Sequence, residues 1–362
     1  MNKGYSLPGR ILLSIAVALL IAGCGGGGGS GGGGNDGGTA FTWLIPEDEI
    51  FDGGPGKDGI PAIDAPAFES ASTIGSVGAD DLVVVVRYGG TVKVYPHDIM
   101  DWHEVVNDGD SADPFSMSYC PLTGSAVAWL GDANESHRSF GVSGLLYNSN
   151  LILYDRKTDS YWSQMLQKSV WGPRAAELPQ RIQVLEMTFS ALQQMFPDAQ
   201  VMTRNTGWSR DYDMYPYGFY RGHEGLLFPV SRTDNRLHLK TRVIGIYSAT
   251  DSKVYQIDSF GGSTQTINDQ FENQSIVAVG NSALSFATIF SRKLSDGTIL
   301  AFSPIQDDLP NIMSDDEGNI WDVFGTATSG PRVGEQLEMT QSYSAYWFAF
   351  AAFFADPQIH FN

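Results

Sequence analysis

The feature that most constrains the fold of this chain is a pattern that occurs twice. Asp81-Leu82-Val83-Val84-Val85-Val86 is echoed by Thr241-Arg242-Val243-Ile244-Gly245-Ile246, and Val92-Lys93-Val94-Tyr95 by Ser252-Lys253-Val254-Tyr255. Asn107-Asp108 returns as Asn268-Asp269. The frame of Asp155, Asp159, Ser160 and Trp162 returns as Ser314, Gly318, Asn319 and Trp321, and Gly172-Pro173-Arg174 up to Leu178 as Gly330-Pro331-Arg332 up to Leu337. The offset stays at about 160 residues throughout, which chance spacing would not maintain. The pattern predicts a mainly β (α+β) protein with a few short helices, built from two β-rich copies fused into one pseudo-symmetric body. The copies span 41–181 and 237–362, with a connecting helix and a Tyr-rich loop over 182–236.

Local patterning supplies the elements. Leu82 to Val86 is a continuous β-branched run, and Val92 and Val94 alternate with Lys93 and Tyr95. Arg87-Tyr88-Gly89-Gly90-Thr91 between them predicts a hairpin turn. Further strands are expected at Phe115 to Tyr119, Ala126 to Leu130 and Leu151 to Tyr154. Thr188 is suited to cap a helix over Phe189 to Phe196, where Phe189, Leu192 and Phe196 share a face and Pro197 stops the helix. Residues 46–68, dense in Gly, Pro and Asp, read as an ordered surface loop, and 207–223 as a loop rich in Tyr. The aromatic segment 342–354 is shorter than a bilayer span and is expected to be a buried strand or helix that seals the body.

The N-terminus points to a compartment. Lys3 and Arg10 flank the start of an apolar run, Ile11 to Ala22, and Ile21-Ala22-Gly23-Cys24 has the form of a bacterial lipoprotein cleavage site. Residues 1–23 are therefore expected to be a removed signal peptide, with Cys24 lipidated and the protein anchored to the cell envelope. A Gly rather than an Asp after Cys24 favours the outer membrane over the inner. The Gly-rich stretch 24–40 carries too few apolar side chains to fold and reads as a flexible tether of roughly 20 Å. With Lys3 and Arg10 removed, 20 basic residues face 41 acidic ones, a net charge of −21. Such a surface repels nucleic acid, so the expected partners are the membrane through Cys24, a small-molecule ligand, or another envelope protein. With Cys24 acylated, Cys120 is the sole free thiol and no intramolecular disulfide can form.

Duplication offers an internal comparison, because scaffold should survive in both copies whereas a site need survive in only one. The paired Trp, Asn-Asp and Gly-Pro-Arg positions read as scaffold. His103, Glu104 and Cys120 occur only in the first copy, and by repeat register they face Thr264, Gln265 and roughly Gly280. Three readings of this set stay open. Cys120 is a nucleophile activated by His103, with Glu104 or Asp108 orienting the imidazole. Alternatively Cys120 and His103, with Met117 or His97, ligate copper(I) or zinc. In the third, Cys120 is a small buried apolar group. His103 to Asn107 departs from the HExxH zinc pattern at Asn107, and Asp108 to Asp113 lacks the later ligands of a calcium loop, so it reads as an acidic turn. Arg210, Tyr212 and Tyr217 are candidates to line a ligand pocket. The corresponding functions are small-ligand or metal binding near His103, Glu104 and Cys120, a thiol-dependent enzyme using Cys120, or an envelope interaction and assembly protein.

Longer motifs carry a resemblance. Trp102 to Asp108 (WHEVVND), Tyr119 to Ala126 (YCPLTGSA), Phe140 to Asn148 (FGVSGLLYN), Tyr154-Asp155-Arg156, Trp162-Ser163-Gln164, Arg210-Asp211-Tyr212, Leu227 to Val230 and Tyr346 to Ala349 together resemble the bacterial domain of unknown function 3179 family. The resemblance extends over most of residues 50–360. It implies a family whose members are often exported and whose activity is unassigned, and it brings no catalytic residues with it. Many relatives carry a second Cys three residues after the first. Here that position is Thr123, so a dithiol redox pair is not available to this chain.

Overall fold

The run Val83-Val84-Val85-Val86 is buried on both faces of its strand, with all four side chains at 0% exposure, and this sets the architecture. A strand covered on both sides has no need of polar alternation. The computed structural model describes residues 41–109, 113–131 and 139–361, so the expected signal peptide, Cys24 and the tether lie outside the described residues. Two short strands come first, β1 (Ile50–Asp52) and β2 (Phe68–Ser70). A first series follows: β3 (Leu82–Tyr88), β4 (Thr91–Pro96), helix α1 (His97–His103), β5 (Val105–Gly109), β6 (Pro114–Cys120), β7 (Ser125–Leu130), β8 (Phe140–Tyr147), β9 (Asn150–Asp155), β10 (Tyr161–Ser163), β11 (Lys168–Trp171), β12 (Arg181–Ile182), β13 (Val184–Thr188), helix α2 (Phe189–Met195) and β14 (Gln200–Met202). Irregular chain occupies 203–241, apart from one 3-10 turn at Tyr220–Gly222. The second series comprises β15 (Arg242–Tyr247), β16 (Ser252–Gln256), a 3-10 helix (Ile257–Phe260), β17 (Gln265–Phe271), β18 (Gln274–Asn281), β19 (Phe286–Ser291), β20 (Phe302–Pro304), β21 (Asn311–Asp315), β22 (Ile320–Asp322), β23 (Ala327–Ser329), β24 (Ser342–Tyr346), helix α3 (Trp347–Phe353) and β25 (Gln358–His360).

The two series follow the same order of ladders. In one sheet β13, β3, β4, β14 and β2 lie side by side, and in another β24, β15, β16 and β25. In each sheet the strand after the helix pairs parallel to the second hairpin strand, β14 with β4 and β25 with β16. Side-chain contacts recur as well. Lys93 and Tyr95 both reach Asp108, at 2.6 and 2.7 Å, and Lys253 and Tyr255 both reach Asp269, at 2.5 and 2.8 Å. The Trp162 indole donates to Asp155 (3.0 Å), and the Trp321 indole donates to Asp315 (2.8 Å), one residue beyond the Ser314 expected from the repeat.

The core is reciprocal. Val83 and Val85 on one face of β3, with Leu185, Met187 and Leu192, join Val277, Phe286, Phe290 and Trp321 of the second series. Val84 and Val86 on the other face stay within the first series, against Val106, Phe115 and Met117. In the second series Val243 and Val254, with Trp347 and Phe350, pack on Trp129, Phe140 and Trp162 of the first. Ile244 and Ile246 face their own Ile276, Ala278 and Ile289. Each hairpin sheet is thus a layer between its own series and the other, which matches the mainly β expectation and explains the apolar runs.

Several boundaries differ from those expected. The hairpin turn contracts to Gly89-Gly90, both at positive φ. The loop over 46–68 includes β1, which pairs with β8. The helix after Thr188 forms as expected, with the Thr188 hydroxyl accepting from the Ala191 N–H (3.3 Å). The segment 182–236 is divided: β13, α2 and β14 join the sheet of β3 and β4, and only the rest is irregular. Residues 342–354 form both a strand, β24, and a helix, α3, and most of their side chains are buried. No helix among the described residues is long and apolar enough to cross a membrane.

Candidate functional site

The turn that ends α1 decides where the candidate residues point. Glu104 follows the helix at φ 57, in the left-handed region. Its N–H donates to Met100 O (2.9 Å), and its C=O accepts from the Tyr119 N–H (2.8 Å). A non-glycine residue held this way stores backbone strain that its surroundings must offset, and such positions cluster at functional sites. The turn sends His103 and Glu104 into different environments.

His103 bridges two segments. Its Nδ1 donates to the Pro61 carbonyl (2.8 Å), and its Nε2 lies 2.8 Å from the Tyr212 hydroxyl, which donates to it. Burial lowers its pKa, so the imidazole is neutral and both of its nitrogens are occupied. The expected pairing with Cys120 is therefore not made. Cys120 is fully buried among Leu122, Trp162 and Phe348, and its Sγ lies 3.9 Å from Ser149 O. Burial, reinforced by the nearby Glu104 charge, pushes the thiol up to about 11. At neutral pH it is protonated, whereas nucleophilic attack and metal ligation require the thiolate. In the ladders its counterpart is Asn281, and Gly280 corresponds to Tyr119.

Met117 belongs to the core cluster of β6 with Phe115 and Val106. His97 lies elsewhere, 3.0 Å from Glu186. The four residues expected to ligate copper or zinc are thus dispersed, and among the described residues no group of three or more His, Cys, Asp or Glu side chains is placed to hold a metal ion. Thr123 is buried and hydrogen-bonds Ser125 (2.8 Å) and Asn150 (2.9 Å).

What the structure does bring together is a pair of cavities flanking the last turn of α1. The first, of about 290 Å³, is mainly apolar, with Ile60, Leu122, Val142, Leu146, Leu151 and Phe228 among its walls. One wall is the irregular stretch of the β8–β9 ladder between Val142 and Leu146. There Gly144, at φ 81, lets the 53–60 loop close over the strand. A Cβ at that position would lie 2.6 Å from the Gly56 backbone. Glu104 lines this cavity together with Tyr217 and Arg210. The Tyr217 hydroxyl donates to Glu104 Oε1 (2.8 Å), and Glu104 is only 4% exposed. Burial raises the Glu104 carboxyl to about 7, against the Tyr217 hydrogen bond and with help from the Asp101 charge.

The second cavity, of about 620 Å³, is polar and is lined by His97, Asp101, Glu186, Arg221 and Arg242 among others. Tyr212 belongs to it, and Asp101 lines both cavities. Asp101 accepts two hydrogen bonds from Arg221 (2.8 and 2.7 Å), yet burial still raises it to about 7. Of the sequence candidates, Glu104, Arg210 and Tyr217 line the apolar cavity, His97 and Tyr212 the polar one, and Cys120 and Met117 neither. Asp101, Glu186, Arg221 and Arg242 had not been singled out. Glu186 did carry a signal, a carboxylate inside the otherwise uncharged strand Val184–Thr188, where a buried charge needs a partner.

The comparisons with known proteins agree with the resemblance seen in the motifs. No curated protein and no solved structure matches the chain. A family model described as protein of unknown function (DUF3179) matches residues 57–357, which covers both series of strands except β25, the whole lining of the polar cavity, and that of the apolar cavity except Gly53 and Pro55. The chain belongs to the DUF3179 family.

Proposed function

We propose that the protein is a lipid-anchored component of the cell envelope that binds a small, mostly apolar ligand in the cavity at Glu104 and Tyr217. The observation that carries this reading is the Glu104 carboxyl, buried at a strained backbone position beside an apolar cavity. Among the described residues the Tyr217 hydroxyl is its one hydrogen-bond partner. Ligand pockets combine apolar walls with a few fixed polar groups in this way, and about 290 Å³ lies near the lower end of their usual size. A buried carboxyl favours a ligand with a hydrogen-bond donor, and an ammonium most of all, because pairing offsets the cost of burying the charge. The signal sequence, Cys24 and the Gly-rich tether support the envelope location.

Phenethylamine and its neutral analogue phenylethanol test the reading, with binding to the mature chain followed by calorimetry. Both probes should bind. Ile60→Trp, which fills the cavity from its loop, should weaken both by about tenfold or more, roughly 1.4 kcal/mol. Glu104→Gln should weaken the amine selectively. Because the amine pairs with the carboxylate, its affinity should fall as the pH drops below about 7, where Glu104 takes up a proton. Failure of both probes to bind, or affinities indifferent to Ile60→Trp, would overturn the proposal.

A further inference from the structure

The polar cavity holds more charge than the scaffold needs. Glu186 on β13 lies between His97 and Arg242, which belong to different elements. Its Oε1 is 3.0 Å from His97 Nε2, and its Oε2 is 3.5 Å from Arg242 Nη2. The second is an ion-pair distance and the first a close polar contact, but neither has hydrogen-bond geometry. These four atoms and the Tyr215 hydroxyl are buried and have no hydrogen-bond partner among the described residues. His97 and Glu186 are only 7% and 4% exposed. A buried polar group left unsatisfied destabilises the folded chain, so such a cluster is not a neutral way to fill space.

The second series shows that the fold does without these groups. Along the matched ladders, Glu186 pairs with Val84 as Ser344 pairs with Ile244, and Arg242 pairs with Tyr346 as Leu82 pairs with Thr188. His97 and Asp101 follow β4 as Ile257 and Gly261 follow β16. Glu186, Arg242, His97 and Asp101 therefore have counterparts that cannot ionise, whereas Asp98 is matched by Asp258.

We propose that this cavity is a second binding site, one that takes a neutral, hydroxyl-rich ligand of the sugar or polyol class. The charges around Glu186 are engaged internally, while Asp80 and Asp81 at the cavity wall are in no ion pair among the described residues. Arg221 is bound to Asp101, Arg204 to Asp98 and Asp213, and Arg242 lies beside Glu186. Lys240 is held by the carbonyls of Tyr220, His223 and Gly225. An ionic ligand seated against Glu186 and Arg242 would have to break one of these pairs. A hydroxyl both donates and accepts, so it can serve the Glu186 oxygens, the Arg242 N–H and the Tyr215 hydroxyl without displacing a charge. About 620 Å³ has room for one or two sugar rings, and Tyr119, Tyr215 and Tyr346 add aromatic surface for their C–H faces.

The test is saturation-transfer NMR on the mature chain with glucose and mannitol as probes, and with glucosamine and glucuronate as charged analogues. Both neutral probes should receive saturation, with the two charged analogues binding more weakly. Glu186→Gln should weaken glucose about tenfold, and Tyr215→Phe, which keeps the ring and is the milder change, about threefold. Ile60→Trp, in the other cavity, should leave glucose binding unchanged. The proposal is overturned if neither neutral probe binds, if either charged analogue binds more tightly than glucose, or if both cavity variants fold with wild-type affinity.

Discussion

Glu104 shows how a single side chain connects backbone strain, burial and pH. Its carboxyl titrates near 7 in the folded chain because burial disfavours the charge, whereas an unfolded Glu titrates near about 4.3. Between these values the native state holds a proton that the unfolded state releases. Stability contributed by this group is therefore greatest at low pH, declines as pH rises through the window, and is absent above about 7. Glu104→Gln keeps the Tyr217 hydrogen bond and removes the titration. Relative to wild type, the variant should gain on the order of 1–3 kcal/mol between pH 5 and pH 8, measured by urea unfolding at both values. Parallel pH dependence of the two proteins would refute the burial argument. Asp101 keeps its own slope of the same sign in both proteins. The one-copy comparison located Glu104 in the sequence, and it located His103 and Cys120 equally well. Their different fates depend on a left-handed turn and on which neighbours arrive from residues 61 and 212, and neither is written in the local pattern.

At the level of elements, legibility followed the strength of the local signal. The β3–β4 hairpin was readable because β-branched residues flank Gly89-Gly90, and α2 because Thr188 and Pro197 mark its ends. Helix α1 has no side-chain cap, and α3 is apolar on nearly every side, so neither offers a period or a boundary to read. Packing between strand and helix explains one residue that no local rule would. Gly245 in β15 sits where Val85 sits in β3, and Phe350 in α3 where Leu192 sits in α2. The small strand residue accommodates the larger helix residue, since a Cβ on Gly245 would lie 2.3 Å from the Phe350 ring. Gly245→Ala should therefore cost about 1–3 kcal/mol of stability in chemical denaturation. Gly262→Ala, where nothing lies within 4 Å of the added carbon, should change it by no more than about 0.5 kcal/mol. Equal effects at the two positions would show that the Phe350 contact does not limit the packing.

For the whole molecule, we propose that the two series descend from fusion of two copies, on the correspondence of their ladders and paired contacts. Reciprocal packing then makes a claim about folding that sequence repetition alone does not. Units that merely sit side by side would each have a closed core, and each would unfold alone. Here Val83, Val85, Leu185 and Met187 find Val277, Phe290 and Trp321 only in the other series, and Trp347 and Phe350 find Trp129 and Trp162 in the same way. Arg87 adds a polar link across the halves, donating to Asp322 at 2.7 Å with its guanidinium 4.4 Å from the Phe324 ring centre. A fragment of residues 41–236 would leave one face of its hairpin sheet open to water, and 237–362 would do the same. Neither fragment should give dispersed amide resonances or a cooperative thermal transition by itself. Mixed in equal amounts they should reconstitute a folded complex, and the intact chain should unfold in a single calorimetric step. Independent cooperative folding of either fragment would show that its core closes without the other. The polar cavity draws residues from both sides of this interleaved body, Arg242 and Tyr346 among them, so the fragments should also lose binding there and regain it on mixing.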